Sequence, residues 1–119
     1  MIGIVDDDPS ILRALQRLLR AAGFTVRTFG SAEALLGSGL LDQIRCLVLD
    51  IHLGGGLTGF DLQERLATAY PRIPVIFITA HDDAPTRDRA RRTGAIDYLT
   101  KPFRTEALLA AINRALDQP

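Results

Sequence analysis

The chain has no tryptophan, a single cysteine, and only one lysine among fourteen basic residues. One thiol, Cys46, cannot close an internal disulfide, so an apolar core must hold the fold, and the pattern fits a reducing compartment. Cys46 lies in the apolar run Cys46-Leu47-Val48-Leu49 and is expected inside that core. No apolar run approaches the ~20 residues of a membrane span. With the first apolar run starting at Ile2, no leader is expected, and a cytoplasmic location is. Net charge is also missing: fourteen basic residues cancel fourteen acidic ones. The basic excess that direct nucleic-acid or anionic-membrane binding draws on is therefore absent. No linker, repeat or low-complexity stretch interrupts the 119 residues, 47% of them hydrophobic, and one domain over residues 1–119 is expected.

What is present is an alternation of short apolar runs with segments of helical period. Ile2–Val5 ends in acid. Ile11, Leu12, Leu15, Leu18, Leu19 and Ala22 then share a helical face. Asp8 and Pro9 suit the N-cap and first helical position, and Gly23 the stop. Phe24–Phe29 predicts a second strand with Arg27 outward. Ser31 caps a short helix through Ala34, Leu35 and Leu36, which Gly37 and Gly39 break. Cys46–Leu49 is a third strand followed by Asp50, and Gly54-Gly55-Gly56 is loop. From Thr58 a helix places Leu62, Leu66 and Ala69 on one side and stops before Pro71. Pro74 opens a fourth strand, Val75–Ile78. Asp82 or Asp83, with Pro85, starts a helix that is mostly charge and has only Ala84 and Ala90 as apolar anchors. Gly94 ends it, Ile96–Leu99 forms a fifth strand, and Leu108, Leu109, Ile112 and Leu116 mark a last helix. Five apolar strands alternating with five helices predict an α/β fold, a doubly wound, five-stranded parallel sheet with right-handed crossovers.

In such a sheet ligands gather outside the carboxyl ends of the strands. Those ends carry Asp6-Asp7-Asp8, Asp50, Thr79-Ala80 and Thr100-Lys101-Pro102. Packing requires none of these side chains. Like charges a few ångströms apart repel by about 4 kcal/mol per pair at an effective dielectric of about 20, so a proton or a cation must enter. An all-oxygen donor set suits Mg²⁺, with Mn²⁺ as the alternative. A carboxylate held between a divalent cation and an ammonium is arranged to receive a phosphoryl group, whose oxygens carry the developing charge. Asp50 is then the nucleophile, and a metal ligand itself. Asp7 ligates directly, and Asp6 directly or through water. The Thr79 hydroxyl and the Ala80 amide hold phosphoryl oxygens, and Lys101 neutralises another. Asp8 reads as a helix cap only.

Four stretches together resemble the receiver domains of bacterial two-component response regulators, over the whole chain: Ile4–Asp8, Val48–Leu53, Val75–Ala80 and Tyr98–Phe103. Ser31-Ala32-Glu33-Ala34 and Lys101-Pro102-Phe103 look most like receivers joined to helix-turn-helix output domains. The resemblance implies a flavodoxin-like fold of strand order 2-1-3-4-5. It implies a phosphoacceptor signalling role rather than a conventional enzyme. A sensor histidine kinase or phosphotransfer protein would supply the phosphoryl group, leaving 4-aspartylphosphate at Asp50. Self-phosphorylation and self-dephosphorylation would both need Mg²⁺. It further implies a metal ligand from the His52 backbone carbonyl, a cis Lys101–Pro102 peptide, and a switch in which Tyr98 turns inward as Thr79 moves. The fourth helix, fifth strand and fifth helix would then present a changed face to an output domain or downstream protein. A homodimer through a second copy is a further partner under this resemblance, whereas nucleic acid and membrane are not.

The departure lies after Asp50, where Leu53-Gly54-Gly55-Gly56-Leu57-Thr58-Gly59 has no proline and one residue more than is usual. A longer, looser loop is expected there. His52 and His81 occupy positions that in the family tune loss of the phosphoryl group to water. Three other readings compete. Gly54-x-Gly56-x-x-Gly59 formally fits a dinucleotide loop, but the next strand ends in Thr79 rather than a ribose-binding acid. A haloacid-dehalogenase-type phosphatase would use Asp6-x-Asp8 with Asp6 as nucleophile, yet it needs a later acidic pair, and only Glu106 and Asp117 follow Lys101. A receiver fold kept purely as an interaction module usually lacks an acid, the threonine or the lysine, and none is missing here.

Overall fold

The computed structural model describes residues 1–117. Its sheet has five parallel strands in the order β2-β1-β3-β4-β5: β1 (Ile2–Val5), β2 (Val26–Phe29), β3 (Cys46–Asp50), β4 (Val75–Thr79) and β5 (Asp97–Thr100). The crossovers carry α1 (Pro9–Ala21), α2 (Ala32–Leu36), α3 (Gly59–Ala69) and α4 (Ala84–Arg92), and α5 (Thr105–Leu116) follows β5. A short 3₁₀ turn, Leu41–Gln43, lies before β3 and has no counterpart in the sequence reading.

The helix starts follow side-chain chemistry. Asp8, Ser31, Thr58 and Asp83 each accept a backbone N–H of the turn they cap, and Thr58 and Asp61 cap each other reciprocally. Pro9 and Pro85 sit where a helix has no N–H to lose.

Strand periodicity sorts the core into two layers. Ile2, Ile4, Cys46, Val48, Ile76 and Ile78 face Leu15 and Leu19 of α1 and Leu108, Ala111 and Ile112 of α5. Val5, Leu47, Leu49, Val75 and Phe77 face Leu35, Phe60, Leu62 and Leu66 on the other side. Because successive residues alternate faces, Asp6 and Asp50 continue the α1/α5 face of their strands, as Lys101 continues that of Leu99. Thr79 continues the opposite face, that of Phe77.

Several boundaries and faces differ from the sequence reading. Strands β3 and β4 extend into polar residues, Asp50 pairing with Ile78 and Thr79 with Thr100, because a ladder is made by backbone and does not stop at an acid. Strand β5 is offset by one residue, and β2 begins at Val26 rather than Phe24. Ala69, Leu116, Ala22 and Ala84 are exposed, and Ala34 is too. Each sits at a helix end or about 100° off the buried stripe, which runs through Phe60, Leu62 and Leu66 in α3 and through Leu108, Ala111, Ile112 and Ala115 in α5. Helix α4 thus buries Ala90 alone.

Candidate functional site

At the carboxyl edge of the sheet, Asp6 and Asp50 are 0% and 4% exposed, whereas Asp7 is open to solvent. One carboxylate oxygen from each of the three lies within 4.8 Å of the others, a group that could hold a metal ion. Lys101 enters from the far side of the strand ends, its Nζ 2.7 Å from Asp6 Oδ2 and 3.3 Å from Asp50 Oδ2. The Lys101–Pro102 peptide is cis. The remaining oxygens are used as well. Asp6 Oδ1 accepts the Asp8 amide at 2.9 Å, and Asp50 Oδ1 accepts the His52 amide at 3.2 Å.

Electrostatics at this edge do not close without help. Burial, and then the neighbouring Asp6 charge, push the Asp50 carboxyl above its ordinary value, against the pull of Lys101. Burial also works against the Lys101 ammonium, but its bond to Asp6 and the Asp50 and Asp6 charges outweigh it and hold Lys101 above its usual value. Three carboxylates and one ammonium leave two negative charges, which one divalent cation balances. The donors are all oxygen and one of them is open to water, as a Mg²⁺-type site requires. The fit is of charge and of donor chemistry.

The other expected site residues lie at the end of β4, in the turns after β3 and β4, and in β5. Thr79 is fully buried, and its hydroxyl is engaged by its own chain, accepting the His81 amide at 3.0 Å and donating to the His81 carbonyl at 3.3 Å. Ala80, next along, is exposed. The His52 and His81 rings meet edge-on with centroids 5.1 Å apart. Tyr98 is half-buried, and its hydroxyl donates to Asp82 Oδ1 at 3.2 Å, the oxygen that also accepts Arg87 Nε at 2.8 Å. Burial and that carboxylate push the Tyr98 phenol up to about 12, so it remains a donor. Asp8 caps α1 through the Ser10 amide at 2.9 Å and stands outside the acidic trio.

Two features escaped the sequence reading. The glycine loop expected to be loose is tied at both ends: Gly54 N–H donates to Asp7 Oδ2 at 2.9 Å, and Leu57 N–H to Glu33 Oε2 at 3.0 Å. Arg89 lies over the Phe60 ring, 4.3 Å from its centroid, and pairs with Glu64 at 3.6 Å. No local pattern marks either contact, since each joins groups of separate elements far apart in sequence. Gly59 has a different reason: a Cβ there would strike the backbone of Asp50 and Ile51, so α3 starts against β3 only with glycine.

Comparison with known proteins agrees with this geometry. The model of the response regulator receiver domain family matches residues 2–113. Nodulation protein W of Bradyrhizobium diazoefficiens is 45% identical over 118 residues, which is 99% of this chain and 52% of that protein. The chain thus spans about half the length of this curated relative. Among solved structures, the receiver domain of NtrX from Brucella abortus is 32% identical with a TM-score of 0.91, each chain covering 100% of the other. The BeF3-activated receiver domain of DrrB is 32% identical with a TM-score of 0.88, over 98% of this chain and 97% of that one. A five-stranded 2-1-3-4-5 sheet, acids at the ends of β1 and β3, and a family match over nearly every residue lead to one conclusion: this chain belongs to the response regulator receiver domains, the signalling modules of two-component systems.

Proposed function

We propose that Asp50 is the phosphoacceptor, and that residues 1–119 act as one receiver domain in the cytoplasm. The observation that carries this is the Lys101 ammonium shared by Asp6 and Asp50 beside an acidic trio still two charges short of neutral. In the reaction a carboxylate oxygen of Asp50 forms a bond to phosphorus as the donor's N–P bond breaks, and the donor imidazole keeps the electron pair. The donor is a phosphohistidine on a sensor kinase or phosphotransfer protein. Asp6, Asp7, Asp50 and the His52 carbonyl would hold Mg²⁺, or Mn²⁺ in its place, which supplies positive charge to the phosphoryl oxygens when bound. Lys101 meets another oxygen, and the Ala80 amide and Thr79 hydroxyl hold the rest.

Thr79 must first leave the His81 backbone to do so. That release is the step that links chemistry to shape: it frees the turn before α4, and Tyr98 then exchanges Asp82 for the space Thr79 vacates. The face of α4, β5 and α5 changes, and an output domain, a downstream protein or a second copy reads it. The phosphatase reading fits poorly. Its nucleophile would be Asp6, which has no exposed surface and carries Lys101, and its second acid would be Asp8, which is a cap. Dinucleotide binding fits no better, because the glycine loop already gives two amides to carboxylates.

The test is intact mass after incubation with Mg²⁺ and acetyl phosphate, beside Asp50→Asn. One phosphoryl group added to wild type, and none without Mg²⁺ or in the variant, is the expected result. Turnover of the donor that survives Asp50→Asn but not Asp6→Asn would overturn the assignment in favour of a phosphatase.

A further inference from the structure

Glu33 lies in the first turn of α2, twenty-four residues from Leu57 in sequence, yet its Oε2 accepts the Leu57 amide at 3.0 Å. That bond holds the exposed Glu33 carboxyl below the usual carboxylate range. The approach depends on a missing side chain. A Cβ on Gly56 would stand 2.6 Å from Glu33 Oε2, and Gly56 has φ +88°, a conformation other residues resist. Gly55 beside it has φ +60°. Such a stretch has little conformational preference of its own, so its path is set by whatever its backbone bonds to. Those partners are two carboxylates, Glu33 at the Leu57 end and Asp7 at the Gly54 end.

The Asp7 end gives the loop its consequence. Asp6 and Asp50 are fixed by burial and by Lys101, but Asp7 is exposed and no packing orients it. Its Oδ2 is held by Gly54 N–H, so the direction of Asp7 follows the path of the loop.

We propose that Glu33 is a positioning residue for the cation site: by holding the Leu57 amide in the space Gly56 leaves open, it fixes the loop so that the Gly54 amide keeps Asp7 turned toward Asp6 and Asp50. The proposal rests on the reading of that trio as the divalent-cation site. A carboxylate that served α2 only, as a first-turn acid, would affect stability and leave cation affinity alone. One that attracted the cation only by its charge would be replaced no better by glutamine than by alanine.

The experiment compares wild type, Glu33→Gln and Glu33→Ala as full chains. Mg²⁺ alone is titrated against amide NMR shifts, and hydrogen exchange is followed without metal. Glu33→Ala is expected to raise the half-saturating Mg²⁺ concentration about threefold, the scale of one net hydrogen bond, with protection at Leu57 and Gly54 falling together. Glu33→Gln keeps an acceptor for Leu57 and should stay close to wild type on both readouts. If Glu33→Ala binds Mg²⁺ like wild type, or Glu33→Gln loses as much affinity as Glu33→Ala, the positioning role is wrong. A wild type that takes up no Mg²⁺ overturns the phosphoacceptor reading, and this proposal with it.

Discussion

The centre of the sheet and its β5–α4 flank are built to opposite standards. Strands β1, β3 and β4 are buried at every residue, and the polar groups that end them, Asp6, Asp50 and Thr79, are buried too. Strand β5 is no more than half-buried along its length, and α4 presses a single alanine into the core. At the centre, charges are fixed by apolar packing on both faces, so the like-charge conflict is relieved little by solvation and is met by Lys101 and by a proton or a cation. On the flank, polar bonds do what packing does elsewhere: Tyr98 and Arg87 share one oxygen of Asp82, and Arg89 leans on Phe60. Such bonds exchange with water at little cost, as the switching proposed above requires of the flank.

Deleting equal side chains in the two regions gives the largest contrast. Leu47→Ala, in the middle of β3, should cost about 2–5 kcal/mol, and Leu99→Ala in half-buried β5 roughly half as much. Urea unfolding measures both, and equal losses would erase the distinction between centre and flank. Next is Lys101→Ala, which leaves Asp6 and Asp50 facing each other without a cation. Fully buried pairs lose about 3–5 kcal/mol on removal of one partner. The Lys101 side chain keeps 17% of its exposure, so about 2 kcal/mol is expected in chelator. Mg²⁺ should return much of that loss, and a variant as stable as wild type in chelator would show that the edge is solvated after all.

Asp50→Asn acts in the opposite direction. Burial and Asp6 hold the Asp50 carboxyl above its ordinary 3.8, so the folded chain binds that proton more tightly than the unfolded chain does. The sign follows: Asp50 lowers stability progressively as pH rises from about 3.8 through its raised value, and the penalty then stays constant. Asparagine removes the ionisation, so metal-free Asp50→Asn should be more stable than wild type at neutral pH and equal to it in acid. A gap that is the same at every pH would mean that packing, and not charge, separates the two proteins.

Legibility in the sequence follows the same division. Acids and a lysine next to apolar strands stand out, because a strand's period ends visibly where a charge begins, and alternation already puts Asp6 and Asp50 on one face. The 2-1-3-4-5 strand order came from resemblance, since periodicity says that strands are parallel and not which lie side by side. Helix faces were misread where a stripe drifts off the core, as at Ala69 and Leu116. The Glu33–Leu57 bond and the Arg89–Phe60 stack were invisible, because both join groups far apart in sequence, and Glu33 and Arg89 alone read as solvated surface. The bond between the Thr79 hydroxyl and the His81 backbone was not legible either, because the proximity of His81 is a property of the turn and not of strand period.

The smallest expected effect tests the flank itself. Arg89 links α4 to α3 through a stack on Phe60 at 4.3 Å and an exposed pair with Glu64 at 3.6 Å, where apolar anchoring stops at Ala90. The stack of a half-exposed guanidinium and an exposed pair are each worth about 1 kcal/mol or less in water, so Arg89→Ala should move the urea midpoint only slightly. Amide exchange across Ala84–Arg92 should nevertheless speed up severalfold, while β1 and β3 stay protected, because opening α4 exposes almost no apolar surface and the tether is a large share of what resists it. Arg89→Lys keeps the charge without the planar group that stacks, and should fall between the two. If exchange in α4 is unchanged in Arg89→Ala, the helix is held by its backbone caps and by Ala90, and the flank is stiffer than its burial implies. If β3 loosens together with α4, centre and flank form a single cooperative unit, and the phosphoryl signal would have to travel as a shift of the whole sheet rather than as release of one helix.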